Sequence, residues 1–234
     1  MPTQPVCVVV GVGPGNGAAF ARRFARAGYA VALLARQADY TAKLADELPG
    51  ARAFACDVSY PDAVSSAFAE VRRKMGDPEI LIYNAGAGIW GSIEEITPAD
   101  FETAWRINAL GGLLCAQEVI PAMKRRKQGR IVFIGATASR RGGANFAAFA
   151  PAKAAQRSLA ESMARQLGPK GIHVALLVID GMVDTPGTRE ATSDKPESFF
   201  IKPADIARTV FHITRQHATA WSFEVEVRPY AEKW

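Results

Sequence analysis

Residues 6–18 read Val6-Cys7-Val8-Val9-Val10-Gly11-Val12-Gly13-Pro14-Gly15-Asn16-Gly17-Ala18. The unbroken apolar run at the start suits a short strand buried on both faces. The glycines that follow let the chain turn tightly and bring its backbone close to a ligand. Apolar residues at helical spacing then occupy Ala18–Ala27, and Gly28 closes that helix. A strand, a glycine-rich turn and a helix in this order leave free amide N–H groups at the helix start, an arrangement suited to a phosphate. Gly-x-Gly-x-x-Gly on 11, 13 and 16 fails because position 16 is Asn, whereas Gly-x-x-x-Gly-x-Gly fits on 11, 15 and 17.

The alternation continues along the chain. Strands are expected at Tyr29–Leu34, Ala51–Ala55, Glu79–Tyr83, Arg130–Ile134, His173–Ile179 and Phe223–Val227. Helices are expected near Ala38–Leu48, Pro61–Met75, Thr97–Lys127, Ala147–Leu167 and Pro203–Gln216, with Thr97-Pro98 as a helix start. Strands alternating with helices predict a parallel sheet with right-handed crossovers. The expected fold is α/β: a single doubly wound, Rossmann-type domain over residues 1–234, with about seven parallel strands and helices on both faces. Residues 185–202, rich in Thr, Ser, Pro and charge, are expected to be the least structured stretch, placed where a lid could sit.

Composition narrows the class. Among 234 residues, 49% are hydrophobic and 22% charged, a balance that excludes a disordered chain. Cys7, Cys56 and Cys115 lie far apart with no CxxC pair, so neither a metal site nor a disulfide framework is expected, and a reducing cytoplasm is. The net charge of +5 includes Lys124-Arg125-Arg126-Lys127, which reads as the cationic end of a helix stopped by Gly129. No nucleic-acid partner is expected from so short a run. No apolar run reaches the roughly 18 residues of a membrane span, so no membrane partner is expected. Met1-Pro2-Thr3-Gln4-Pro5 lacks a basic n-region, and Val6–Val10 is too short for a signal-peptide core.

Farther along stand Cys56-Asp57-Val58, Asn84-Ala85-Gly86, Asn108 in Arg106-Ile107-Asn108-Ala109, Lys153, and Asp180-Gly181-Met182-Val183-Asp184-Thr185. Together with the glycine spacing, and in this order, they resemble the classical short-chain dehydrogenase/reductase family over about residues 5–228. The resemblance implies that Gly11, Gly15 and Gly17, with the neighbouring amides of Gly13 and Asn16, hold the pyrophosphate of a nicotinamide dinucleotide. It implies Asp57 and Val58 around the adenine and Asn84-Ala85-Gly86 along the riboses. Gly181, Val183 and Thr185 would lie at the nicotinamide end. Asp180 stands where the family usually has proline, as a turn cap or a substrate contact. The second strand ends in Ala35-Arg36, with no carboxylate to accept from a ribose 2′-hydroxyl. Arg36 offers a guanidinium fork to a 2′-phosphate, so NADP(H) is favoured over NAD(H).

The resemblance also implies a catalytic tyrosine four residues before Lys153 and a serine thirteen before that. Phe149 and Ala136 occupy those positions, whereas Asn108 and Lys153, the other two catalytic positions, are kept. In the family the asparagine positions a proton-relay water, and the lysine binds the nicotinamide ribose. Hydride delivery to a ketone develops alkoxide charge that needs a donor within about 3 Å, and loss of an acid–base group costs about 10²–10⁴-fold. Ser139, Asn145 and Lys153 are candidate replacements, and Thr137 is one only if the strand bulges. Three readings follow: an NADP(H)-dependent oxidoreductase acting on C=C or iminium substrates, an inactive NADP(H)-binding regulatory or scaffold protein, and a ketoreductase with a relocated acid. Trp90, Phe146, Phe149, Phe199 and Phe200 suggest an apolar or aromatic small-molecule substrate. Arg140 and Arg141 read either as solvated or as attracting an acidic one. The resemblance implies a homodimer or homotetramer through helices 97–127 and 147–167. The aromatic tail Trp221–Trp234 either covers a neighbouring subunit or closes its own domain.

Overall fold

The computed structural model describes residues 4–231. The first three residues and the last three of the tail lie outside that range. The strands are β1 (Val6–Val10), β2 (Ala30–Ala35), β3 (Arg52–Ala55), β4 (Pro78–Tyr83), β5 (Gly129–Ala136), β6 (Ile172–Ile179), β7 (Met182–Val183), β8 (Phe200–Ile201) and β9 (Glu224–Val227). The helices are α1 (Asn16–Arg26), α2 (Ala38–Glu47), α3 (Pro61–Met75), α4 (Pro98–Trp105), α5 (Gly111–Arg126), α6 (Phe149–Leu167), α7 (Pro186–Ala191) and α8 (Pro203–Thr214). Seven strands form one sheet in the order β3-β2-β1-β4-β5-β6-β9, every pair parallel. The order reverses between β1 and β4, which opens a crevice at their C-terminal ends.

Alternating strand residues feed two cores. Val6, Val8 and Val10 join Val64 and Phe68 of α3, Cys115 and Val119 of α5 and Met163 of α6 on one face. Cys7 and Val9 join Phe20 and Phe24 of α1, Leu44 of α2 and Val210 of α8 on the other. Burial on both faces is why these strands read as continuous apolar runs. Among the described residues, no helix is long and apolar enough to cross a membrane.

Three expectations need correction. The helix expected over 97–127 is two helices joined by a π turn at Arg106–Leu110. Its carbonyls are claimed from outside: Tyr83 Oη donates to Ile107 O, and Gln156 Nε2 donates to Asn108 O at 2.9 Å. Residues 185–202 are not a plain loop. Thr185 caps α7 by accepting from Thr188 N, a 3-10 turn covers Glu197–Phe199, and β8 pairs with β7. The helix that carries the basic run is stopped not by Gly129 but at Lys127, which takes a left-handed conformation (φ 51°). Arg125 and Arg126 there face Asp77.

The π turn brings α5 hard against β4. A Cβ at Gly111 would touch Tyr83 Oη and lie 2.9 Å from Val58 Cβ and O. Gly111→Ala is therefore expected to lose about 1–3 kcal/mol of stability by overpacking, read as a lower midpoint in chemical denaturation.

Candidate active site

At the crevice the glycine loop lies against the exit of β4. Gly11 has a φ of +85°, and a Cβ there would lie 2.5 Å from Ala85 Cα. Asn84 Nδ2 clamps the same place by donating to Gly11 O at 2.7 Å. Gly17 lets α1 start against the loop, since its Cβ would lie 2.6 Å from Val12 Cα. Gly13 faces open space, with nothing within 4 Å. A Cβ at Gly15 would lie 2.9 Å from Thr185 Cγ2, so the segment carrying α7 comes down on the loop. No side chain caps α1 and no acid lies in its first turn, which leaves the positive end of the helix open to an anion. Asn16 Oδ1 is buried without a hydrogen-bond partner among the described residues.

The loop forms one wall of a cleft of about 640 Å³, with Arg36, Asp57, Val58 and Asn84–Ala87 among its other lining residues. Asp57 Oδ1 accepts from Ser59 N (3.0 Å) and Ser59 Oγ (2.6 Å), which fixes the carboxylate at the cleft wall. Arg36 is exposed beside Gln37 and Tyr40. An open amide helix end, a glycine-rich loop open at Gly13 and a guanidinium at the rim fit a phosphorylated dinucleotide. No cluster of three metal-ligating side chains occurs among the described residues.

Farther in, α6 turns Lys153 and Gln156 onto its buried face. Lys153 Nζ donates to Ile134 O (2.9 Å) and Gln156 Oε1 (3.2 Å). Burial lowers its pKa from 10.5 to about 8, because desolvation penalises the ammonium. Asn108 lies in the π turn, where its Nδ2 donates to Ala87 O (3.0 Å) and Ala104 O (2.9 Å), while its Oδ1 has no partner among the described residues. A Cβ at Gly86 would lie 3.2 Å from Asn108 Oδ1 and 3.6 Å from Lys153 Nζ. Gly86, Asn108 and Lys153 therefore meet at one point of the cleft. Gln156 was missed by sequence reasoning. The available signal was a polar residue three positions after Lys153, on the same helix face.

Neither Ala136 nor Phe149 offers a proton. The Phe149 ring lies 4.6 Å from that of Trp90 and 6.3 Å from that of Phe146, and these two lie 4.9 Å apart. Among the candidate replacements, Thr137 donates its hydroxyl proton elsewhere, whereas Ser139 is bonded as an acceptor. Ser139 Oγ accepts from Ala136 N at 3.2 Å, and Thr137 Oγ1 donates to Asp180 Oδ1. Asp180 is neither a turn cap nor an open substrate contact, because its Oδ2 pairs with Arg228 Nη2 at 2.5 Å. Arg140 is not merely solvated: it pairs with Glu224 at 2.6 Å and also with Glu226 of β9, whereas Arg141 is mainly exposed. Asn145 is exposed, and its carbonyl accepts from Gly91 N at 2.9 Å.

Comparison with known proteins places this geometry. A family model described as short chain dehydrogenase matches residues 5–196. The chain belongs to the short-chain dehydrogenase family. The 3-oxoacyl-(acyl-carrier-protein) reductase MabA of Mycobacterium tuberculosis is 34% identical over 182 residues, which span 78% of this chain and 70% of that protein. A short-chain dehydrogenase structure from Rhodopseudomonas palustris is 34% identical, with a TM-score of 0.84 over 98% of this chain and 100% of its own. A metagenomic short-chain oxidoreductase in complex with NADP is 29% identical, with a TM-score of 0.84 over 98% of this chain and 99% of its own.

Two measurements probe the site as a member of this family. Gly11→Ala, strained by its positive φ and by the Ala85 backbone, is expected to lose more than about 1 kcal/mol, while Gly13→Ala stays within about 0.5 kcal/mol; thermal denaturation separates them. Lys153 gives the second. Between its folded pKa near 8 and its unfolded value of 10.5, the unfolded chain holds more of that proton, so stability rises with pH across this window. Denaturation at two pH values inside the window should show the unaltered protein gaining on Lys153→Met as pH rises.

Proposed function

We propose that this chain is an NADP(H)-dependent oxidoreductase that acts on a small apolar or aromatic molecule with a polarised C=C bond or an iminium carbon. The observation that carries the reading is Phe149, packed with Trp90 and Phe146 one helical turn before Lys153: Lys153 and Asn108 remain together at Gly86, while the positions expected to carry hydroxyls hold Ala136 and Phe149. A relative in complex with NADP and another with 5-hydroxy-NADP, the latter an alcohol dehydrogenase from Thermococcus sibiricus at 25% identity and a TM-score of 0.88, support the choice of cofactor.

Bound in the cleft, the nicotinamide cofactor supplies or accepts a hydride. The amide end of α1 and the open side of Gly13 would receive its pyrophosphate, and Arg36 its 2′-phosphate. Lys153, with one N–H not used by Ile134 or Gln156, would donate to the nicotinamide ribose. The aromatic trio would hold an apolar substrate and exclude water from the reacting carbon. An iminium carbon that gains a hydride becomes a neutral amine and needs no proton. An enone becomes an enolate, which takes its proton from the cleft side.

NADPH oxidation against ketones, enones and cyclic imines tests the reading. Cyclic imines or enones are expected to turn over, with simple ketones slower by about 10²–10⁴-fold. Silence on every class, with NADPH still raising the melting temperature, makes the protein a nucleotide-binding regulatory or scaffold subunit instead. Arg36→Ala is expected to weaken NADPH by about 1.5–3 kcal/mol, roughly ten- to a hundredfold, and to leave NADH affinity unchanged, as read by titration of cofactor fluorescence.

A further inference from the structure

Among the described residues, two buried side-chain polar atoms lack a hydrogen-bond partner: Asn108 Oδ1 and Asn16 Oδ1. A buried acceptor left unpaired carries the full penalty of its desolvation, and native interiors hold few of them. The first lies against Gly86, beside Lys153. The second stands at the start of α1, two residues after Pro14, where the glycine loop stops lining the cleft. Its neighbours are pressed from two sides. A Cβ at Gly17 would lie 2.6 Å from Val12 Cα, and one at Gly15 would lie 2.9 Å from Thr185 Cγ2. What Asn16 Oδ1 lacks is a donor. A pyrophosphate at the amides of this helix end offers oxygens alone, so it cannot be the partner. The N–H and O–H donors of a nicotinamide dinucleotide lie on either side of the pyrophosphate: hydroxyls and an amino group toward the adenine, hydroxyls and a carboxamide toward the pyridine. The sheet order separates the two. Asp57 and Val58 follow β3, on one side of β1, whereas Thr185 follows β6 and β7, on the other. Because Thr185 meets Gly15, Asn16 belongs to the pyridine side. Lys153 is assigned there to the ribose, which leaves the carboxamide.

We propose that Asn16 Oδ1 accepts an N–H of the nicotinamide carboxamide and makes the chain selective for the amide form of the pyridine ring. The inference rests on the NADP(H) reading above and deepens it: α1 receives the pyrophosphate through its backbone and recognises the pyridine through its first side chain. The oxygen is buried without a partner in the unloaded protein, so the new bond displaces no existing one. It therefore contributes more to affinity than a hydrogen bond made at an exposed acceptor.

The test is a cycle of side chain against ligand group, read as binding rather than turnover. Titration calorimetry gives the Kd of NADP and of its acetylpyridine analogue, in which a methyl group replaces the carboxamide NH2 and the carbonyl stays. The unaltered chain is expected to bind NADP at least about tenfold more tightly than the analogue. In Asn16→Leu, which keeps the bulk and removes the polar atoms, that ratio is expected to fall at least about fivefold, through weaker NADP binding with the analogue little changed. Asn16→Ala removes the same oxygen without adding bulk, with the same expected fall, and carries the test if the leucine variant does not fold. Equal affinities for the two nucleotides in the unaltered chain overturn the proposal. So does a ratio that the substitutions leave unchanged, because an equal loss for both nucleotides makes Asn16 a packing residue. Tight binding of NADP with an unchanged ratio strikes the role of Asn16 alone, whereas failure of both nucleotides to bind the unaltered chain removes the NADP(H) reading and this role with it.

Discussion

The site is organised around a buried amine. An ammonium taken out of water must be repaid by acceptors, and α6 places Lys153 where Ile134 O and Gln156 Oε1 supply two. Those bonds reach into the neighbouring elements: Ile134 lies on β5, and Gln156 reaches the carbonyl of Asn108 in the π turn between α4 and α5. The turn can leave the α-helical pattern because Tyr83 and Gln156 satisfy the carbonyls it frees. Strand, turn and helix thus lock one another through a single charged group, and the cleft opens above it.

Much of the fold was legible because the physics behind it is local and periodic. Continuous apolar strands of five to eight residues, such as β1 and β6, separated by helices with one apolar face, leave few options other than a doubly wound parallel sheet. The π turn was not legible, because what bends the helix at Arg106–Leu110 comes from Tyr83 and Gln156, 24 and 48 residues away in sequence. The segment 185–202 misled for a related reason. Thr, Ser and Pro read as loop residues, yet Thr185 and Thr188 spend their polarity on capping α7, and Phe200 finds a buried place in β8.

In the site, residue identity was legible and pairing was not. Phe149 and Ala136 are apolar on any reading, but their surroundings depend on loops that meet only in three dimensions. Gly91 and Phe146 form an isolated bridge that brings Trp90 beside Phe146 and Phe149. Asp180 shows the same limit. A carboxylate in that turn suggested a cap or a ligand contact, whereas Arg228, 48 residues away, neutralises it and Thr137 donates to it.

These pairings bear on the chemistry as a set. The hydroxyls near position 136 and at the start of α7 have partners: Thr137 donates to Asp180, Thr185 accepts from Thr188 N, and Ser139 accepts from the Ala136 amide. Arg140 and Arg228 are held by Glu224 and Glu226 along β9, so positive charge that could steady an oxyanion is drawn toward the sheet edge. Against Gly86 of the cleft lie an amine with a pKa of about 8 and an unpartnered amide oxygen, and three aromatic rings pack together around Phe149. The amide oxygen repels a developing oxyanion and attracts a cation, and aromatic faces do the same through their quadrupoles. Under the proposed reading these groups suit a positively charged carbon–nitrogen bond better than a developing alkoxide, while Lys153, protonated below its pKa of about 8, is held by Ile134 O and Gln156 Oε1. Within the substrate class proposed above, that arrangement of polar groups is the argument for an iminium over an enone.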